Sequence, residues 1–422
     1  MMVVDEIGEW RGKRVLLRAD FNVPLDTERQ ITEDFRIQAV LPTIRLLSES
    51  GGRVILMSHL GRPSGFDPAL SLKPVAEALS KMLSKPVLLA PNCVGPEVTT
   101  MVEQMRDGEI LLLENLRFHP QENGNDPDFA RELATLGEVY VSDAFACAHR
   151  SQASNVGIVE FMKPCLAGLL MRDEIEKFVN AIKEPERPLV SIVGGEKLSA
   201  MVDTVKNLLL TSDKLCIGGQ MSYTFRKAKG GNTGGTFVEE DQIEVARELL
   251  VDGDDKIALP ADCIVEHTSD LAPGPKKYRT GFFDQATIDT KYAIDPALLG
   301  NQTLPDGLQA PGMEPNEKGI DIGALSMMRF GELGRSAKTL VWTGRMGDHA
   351  TVQSSAGSRS IAALLVLATL SGVSSITGTH EMVKFLKQED LNDHIFHLST
   401  GDRSFIRVLE GKELPGIIAL ST

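Results

Sequence analysis

Residues Ser142-Asp143-Ala144-Phe145-Ala146-Cys147-Ala148-His149-Arg150 directly follow the apolar run Val139-Tyr140-Val141. An apolar run this short, bounded by polar residues, reads as a buried strand. A parallel sheet presents its ligands beyond the carboxyl ends of its strands. Asp143, His149 and Arg150 are therefore expected to hang over a sheet edge. Three other runs in the first half end in the same way. Val15-Leu16-Leu17 leads into Arg18-Ala19-Asp20-Phe21-Asn22, and Val54-Ile55-Leu56 into Ser58-His59-Leu60-Gly61-Arg62-Pro63. Ile110-Leu111-Leu112-Leu113 leads into Glu114-Asn115-Leu116-Arg117-Phe118. Each delivers an arginine within a few residues of its end. Guanidinium forks converging on one crevice make a site for a phosphate or carboxylate anion.

Residues 12–160 alternate strand-like and helix-like runs. Ile37, Val40, Leu41, Ile44 and Leu47 line one face of a helix over Arg36–Leu47, and Ser71–Leu83 repeats the pattern. Strand and helix in this rhythm predict a doubly wound parallel sheet. Leu169–Ile182 reads as one long helix, with an exit broken by Pro185 and Pro188. A second series follows, with strands at Leu189–Val193, Leu215–Ile217, Lys256–Leu259, Leu340–Trp342, Ser374–Ile376 and Phe396–Leu398. The fold class is thus α/β, two doubly wound parallel-sheet domains facing a cleft and joined by a long helix. Residues 271–318 show little periodicity and read as a long connection or lid.

A chain of 422 residues exceeds one ordinary core. Apolar residues make up 42% and aromatics 5%, which suits aliphatic parallel layers. A formal charge of −14 argues against nucleic-acid or membrane-surface partners. The five cysteines are scattered, with no C-x-x-C pair, and fit free thiols in a reducing compartment. The acidic amino terminus lacks a signal-peptide core, and no apolar run approaches the roughly 20 residues that span a bilayer. The expected location is cytoplasmic.

Arg18–Pro24, Ser58–Pro63, Glu114–Phe118 and Asp143–Arg150 resemble the substrate motifs of the phosphoglycerate kinase family. Pro185–Pro188, the Gly194-Gly195-Glu196-Lys197 turn and Leu409–Gly416 are similar to later family segments. The resemblance implies reversible phosphoryl transfer between 1,3-bisphosphoglycerate and ADP, giving 3-phosphoglycerate and ATP with Mg2+. It implies a monomer whose partners are a small phosphorylated acid and an adenine nucleotide. Asp20, Asn22, Arg36, His59, Arg62, Arg117, His149 and Arg150 would bind the acid. Arg36, Lys197 and the Gly401 helix start would act on the moving phosphoryl group. Gly194, Gly195, Lys197, Gly218, Gly219, Gly344, Gly378 and Glu381 would hold the nucleotide. The implied division is 1–168 for the acid, 169–188 as connecting helix and hinge, 189–405 for the nucleotide, and 406–422 packing back on the first domain.

The second half departs from the family pattern. Its second phosphate lysine falls on Met201, its ribose glutamate on Ala350 and its magnesium aspartate on His380, with Glu381 next in sequence. Asp402 and Arg403 stand where the family has glycines, and Arg345 where it has proline. These motifs name no metal ligand. Two alternatives stay open: a relative that binds the acid without transferring phosphate, and a kinase with another donor or acid.

Overall fold

The computed structural model describes residues 1–253, 255–267, 278–282 and 312–421. They form two compact units. The first is Met1–Val179 with Thr400–Val408 and Lys412–Thr422, and the second is Asn180–Ser399 with Leu409–Gly411.

The first unit holds seven strands: β1 (Met2–Val3), β2 (Arg14–Ala19), β3 (Arg53–Met57), β4 (Val87–Leu89), β5 (Ile110–Leu112), β6 (Val139–Asp143) and β7 (Cys165–Ala167). Their spatial order is β1-β7-β6-β2-β3-β5-β4, and every pairing is parallel. Val15, Leu16 and Leu17 are fully buried because helices cover both faces of such a sheet. Helix α1 (Phe35–Glu49) contributes Ile37, Val40, Ile44 and Leu47, and helix α2 (Lys73–Leu83) contributes Val75 and Leu79. These are the positions that the 3.6-residue period singles out. Strands β1, β4 and β7 are two or three residues long, too short for periodicity to mark.

The second unit carries β8 (Leu189–Val193), β9 (Lys214–Ile217), β10 (Ile257–Ala258), β11 (Asp262–His267), β12 (Tyr278–Phe282), β13 (Glu317–Ile322), β14 (Thr339–Thr343), β15 (Ser374–Thr377) and β16 (His397–Leu398). Six of them form a parallel sheet in the order β10-β9-β8-β14-β15-β16. Trp342 and Phe330 are fully buried in its core. Both units thus carry the doubly wound parallel sheet read from the sequence. Among the described residues no helix is long and apolar enough to cross a membrane.

Three expectations need correction. In 271–318, Tyr278–Phe282 is a strand and a second, Glu317–Ile322, begins at the end of the stretch; the two flank β11 in an antiparallel sheet. Their local pattern is weak, and pairing with β11 supplies what propensity does not; residues 271–277 and 283–311 lie outside the described residues. The helix over 169–182 is α-helical at Leu169–Glu174, π-helical at Ile175–Val179 and α-helical again at Asn180–Lys183. A π turn inserts a residue into the helical ladder, and this one carries Phe178, whose ring stacks on Phe405 at 4.5 Å. Finally, Thr400–Val408 belongs to the first unit, although the sequence reading grouped 189–405 together. The buried Glu174 carboxylate accepts hydrogen bonds from the Thr400 amide at 2.6 Å and hydroxyl at 2.8 Å.

Candidate functional site

The parallel register brings the ends of β2, β3 and β6 level, with Ala19 opposite Asp143 and Arg18 opposite Met57. Side chains from three sequence segments therefore meet at one edge. Arg36, in the first turn of α1, donates to Asp20 at 2.6 Å, and both are largely buried. Asp20 also accepts the Asn22 amide at 3.1 Å, and Asn22 in turn accepts the Gly61 amide at 2.8 Å. The Asp20 carboxylate beside it raises the Arg36 pKa, so Arg36 is a permanent cation.

Arg62, Arg117 and Arg150 line a cleft of about 430 Å³ together with Asn123 and Gln152. Arg117 donates to the Gly61 carbonyl at 2.5 Å, while its buried Nε has no protein partner. Burial, then the neighbouring Arg150, lowers the Arg117 pKa. Like charges held this close, with one buried donor unmatched, fit an anion with several acceptor oxygens.

The two histidines are neutral members of the site. Burial, reinforced by Arg18, Arg117, Arg150 and Arg36, depresses His59 well below its ordinary value. Its Nδ1 faces Arg18 Nη2 at 3.3 Å and so accepts. Burial and Arg150 bring His149 down to about 4. Both ring nitrogens of His149 are engaged, with Ser404 and with Arg150. The expected basic patch is therefore made of arginines, with histidines serving as hydrogen-bonding groups.

Asp143 does not hang over the edge. It is fully buried and accepts the Met171 amide at 2.9 Å. Any side chain at Gly168 would collide with it, so glycine permits the close approach. Burial raises its carboxyl to about 7.

Arg18, read from the sequence as a further cation of the crevice, is instead buried and paired with groups that no local signal marks. Arg18 is fully buried and donates to the Ser154 hydroxyl at 2.8 Å, which donates to Glu122 at 2.6 Å. Glu122 is itself fully buried and also accepts the Ser154 amide at 3.0 Å. The carboxylate thus balances a guanidinium through one hydroxyl, and nothing local marks Ser154 or Glu122 for that role. Asn115 bridges the Leu60 and Leu70 carbonyls at 2.8 and 2.9 Å, fixing the turn that carries Arg62. Asp20, His59 and Cys147 bring one donor atom each within 4.8 Å of the others, the one such cluster among the described residues. Arg18 and Arg36 already occupy its acceptors, so it does not suit a cation.

In the second unit the glycine turns that end β8, β9 and β14 come together. The Gly194 amide donates to the Thr343 carbonyl at 2.8 Å and the Gly195 amide to the Arg345 carbonyl at 3.0 Å. Gly219 and Gly344 have φ of +67° and +72°, and a side chain on either would strike the Gly194–Gly195 backbone. Three strand-end turns thus pack backbone on backbone, which only glycine allows. Gly218 lies against Met346, and Gly378 against Ser399 at the ends of β15 and β16. The Gly195, Gly219, Tyr223, Lys318, Asp321 and Arg345 positions line a pocket of about 270 Å³. Burial raises Asp321 to about 7, and it accepts the Gly357 and Ile322 amides at 2.7 and 2.8 Å. Lys197 is exposed, and Gly401 lies against Phe145 in the first unit.

The oxygen donors here do not fit a resident magnesium ion, which prefers free carboxylates. Glu381 pairs with Arg345 at 2.7 Å. Asp348 accepts the Ala350 amide at 2.8 Å, and Asp321 is spent on backbone amides. His380 offers an imidazole, a poor magnesium ligand.

The family model described as Phosphoglycerate kinase matches residues 4–412. A protein named phosphoglycerate kinase from Thermosynechococcus vestitus is 42% identical over 412 residues, covering 97% of this chain and 96% of the relative. The cytosolic phosphoglycerate kinase of Triticum aestivum is 40% identical over 413 residues, with the same coverage. The solved structure of phosphoglycerate kinase from Coxiella burnetii superposes with a TM-score of 0.82 at 32% identity, covering 100% of this chain and 98% of that one. The chain belongs to the phosphoglycerate kinase family.

Proposed function

We propose that the chain transfers a phosphoryl group reversibly between 1,3-bisphosphoglycerate and ADP, giving 3-phosphoglycerate and ATP. The observation that carries this reading is the arginine-lined cleft, where Arg62, Arg117 and Arg150 surround a space sized for a small anion. In the direction of ATP formation the acyl phosphate P–O bond breaks and its electrons stay on the carboxylate. A terminal phosphate oxygen of ADP forms the new P–O bond, without a covalent enzyme intermediate. Such transfer works by positioning and charge neutralisation. Arg36, fixed by Asp20, supplies a cation that needs no proton exchange. His59 donates or accepts hydrogen bonds without adding charge. Lys197 would follow the transferred group, and the glycine turns at Gly194, Gly195, Gly218, Gly219 and Gly344 would leave room for the nucleotide. Glu381 acts through Arg345 in this reading. Magnesium would arrive with the nucleotide, since the protein donors do not fit a resident ion. The protein works as a cytoplasmic monomer.

A second reading has its own support: Met201, the Arg345–Glu381 pair and His380 leave the second unit poor in phosphate and metal ligands. The chain would then bind the acid without transferring phosphate. Calorimetry with 3-phosphoglycerate and with ADP, followed by a coupled turnover assay, separates the two. Turnover that disappears in Arg36→Ala supports the kinase. Acid binding with no nucleotide binding and no turnover rejects it in favour of the binder.

A further inference from the structure

A residue from the far end of the chain aims the acid cleft. Ser404, in helix Arg403–Leu409 of the first unit, is fully buried. Its hydroxyl lies 3.0 Å from His149 Nδ1, accepts the His149 amide at 3.3 Å and donates to the Ala146 carbonyl at 3.2 Å. Arg150 Nε donates to His149 Nε2 at 3.2 Å. These four contacts have one consistent proton assignment. Arginine carries no acceptor, so Nε2 must accept. The neutral ring then carries its proton on Nδ1 and donates it to Ser404. The Ser404 proton goes to Ala146, and its two lone pairs take the His149 amide and ring. Every donor and acceptor in the chain from Arg150 to Ala146 is matched.

We propose that Ser404 is a positioning residue for the acid substrate: by fixing the His149 tautomer it holds Arg150 through Nε, so that the guanidinium fork faces the cleft. An arginine held at Nε keeps its two terminal nitrogens for bidentate contact with phosphate or carboxylate. Without the Ser404 acceptor, the Ala146 carbonyl alone is left to hold the Nδ1 proton, and the His149 ring can place its proton on Nε2. That nitrogen would then present a hydrogen to Arg150, and the contact would turn from attractive to repulsive. The proposal rests on the reading that Arg150 serves the acid site. It adds that residues 400–408 take part in that site from within the first unit.

The test uses the full chain with Ser404→Ala, a change that removes one oxygen and keeps the packing, and Arg150→Ala as reference. Loss of one hydrogen bond predicts 3-phosphoglycerate binding about two- to tenfold weaker in Ser404→Ala by calorimetry, with a matching rise in its KM and little change in the KM for ATP. Long-range 15N–1H spectra of His149 should show the Nδ1–H tautomer in the wild type and a mixture in Ser404→Ala. Equal acid binding in the two proteins overturns the proposal. So does an Nε2–H tautomer in the wild type, or a loss that falls equally on both KM values. Undiminished acid binding by Arg150→Ala overturns the underlying site assignment instead, and is recognisable because the tautomer shift would persist.

Discussion

The two units end their parallel strands in opposite ways. Around the ends of β2, β3 and β6 the first unit gathers long side chains, buried or partly buried and fixed by partners: Arg18 by Ser154, Arg36 of α1 by Asp20, Arg150 by His149. At the ends of β8, β9 and β14 the second unit places glycines whose turns touch backbone to backbone. Its charged pair, Arg345 with Glu381, is substantially exposed. Burial makes the first site rigid and sensitive to every missing partner. Exposure makes the second tolerant of change, because water replaces a lost contact. The same sheet architecture thus carries one site determined by charge networks and another determined by backbone clearance.

Arg36→Ala removes a fixed cation and strands the buried Asp20, so turnover should fall about 100-fold or more in a steady-state assay. A fall of less than tenfold, by the same scale, would mean the first site is less determined than its geometry indicates. Glu122→Ala leaves the buried Arg18 guanidinium uncompensated, and urea unfolding should show a loss of about 3 kcal/mol. In the second unit, Met201→Lys adds a cation beside the Gly195 turn, and ADP should bind about tenfold tighter by calorimetry, as for one charged hydrogen bond. No gain would place the nucleotide phosphates elsewhere.

Asp143 gives a pH test of the first unit. Burial raises its folded carboxyl to about 7, above the unfolded value of about 3.9. The stability it contributes in protonated form is complete below about pH 4 and is lost as pH rises through about 7. Unfolding of Asp143→Asn across that window should show the variant gaining relative to the wild type as pH rises. His149, depressed to about 4, works in the other direction: its contribution is present above about 6.5 and is lost on acidification. A difference that stays flat with pH would show that Asp143 titrates normally. The smallest effect is expected for Glu381→Gln, where an exposed ion pair is worth about 1 kcal/mol or less, so stability should hardly move. A large loss there would bring the second site closer to the first in character.

Much of the architecture was legible in the sequence. Buried strands of a parallel sheet are runs of consecutive apolar residues, and α1 and α2 show their buried face every third or fourth position. Arginines after strand ends were visible for the same reason: the chain reverses just beyond the sheet. The glycine turns were visible, as the pairs Gly194-Gly195 and Gly218-Gly219 and as the single Gly344, because close backbone approach leaves no other residue possible at Gly219 or Gly344. The strands β12 and β13 were not visible, since their partner β11 lies outside any local window.

Folding determines which side chains answer one another. Asp143 and His149 sit six residues apart in one motif, yet one turns into the core against Gly168 and the other reaches Ser404. Glu122 and Ser154 balance Arg18 across more than a hundred residues, and Thr400–Val408 joins the first unit through Glu174 and Phe178. Periodicity and turn chemistry are written in neighbouring residues, so a sequence states them outright. Charge pairing, tautomers and titration depend on burial and on distances between remote segments, and these exist only once the chain has folded.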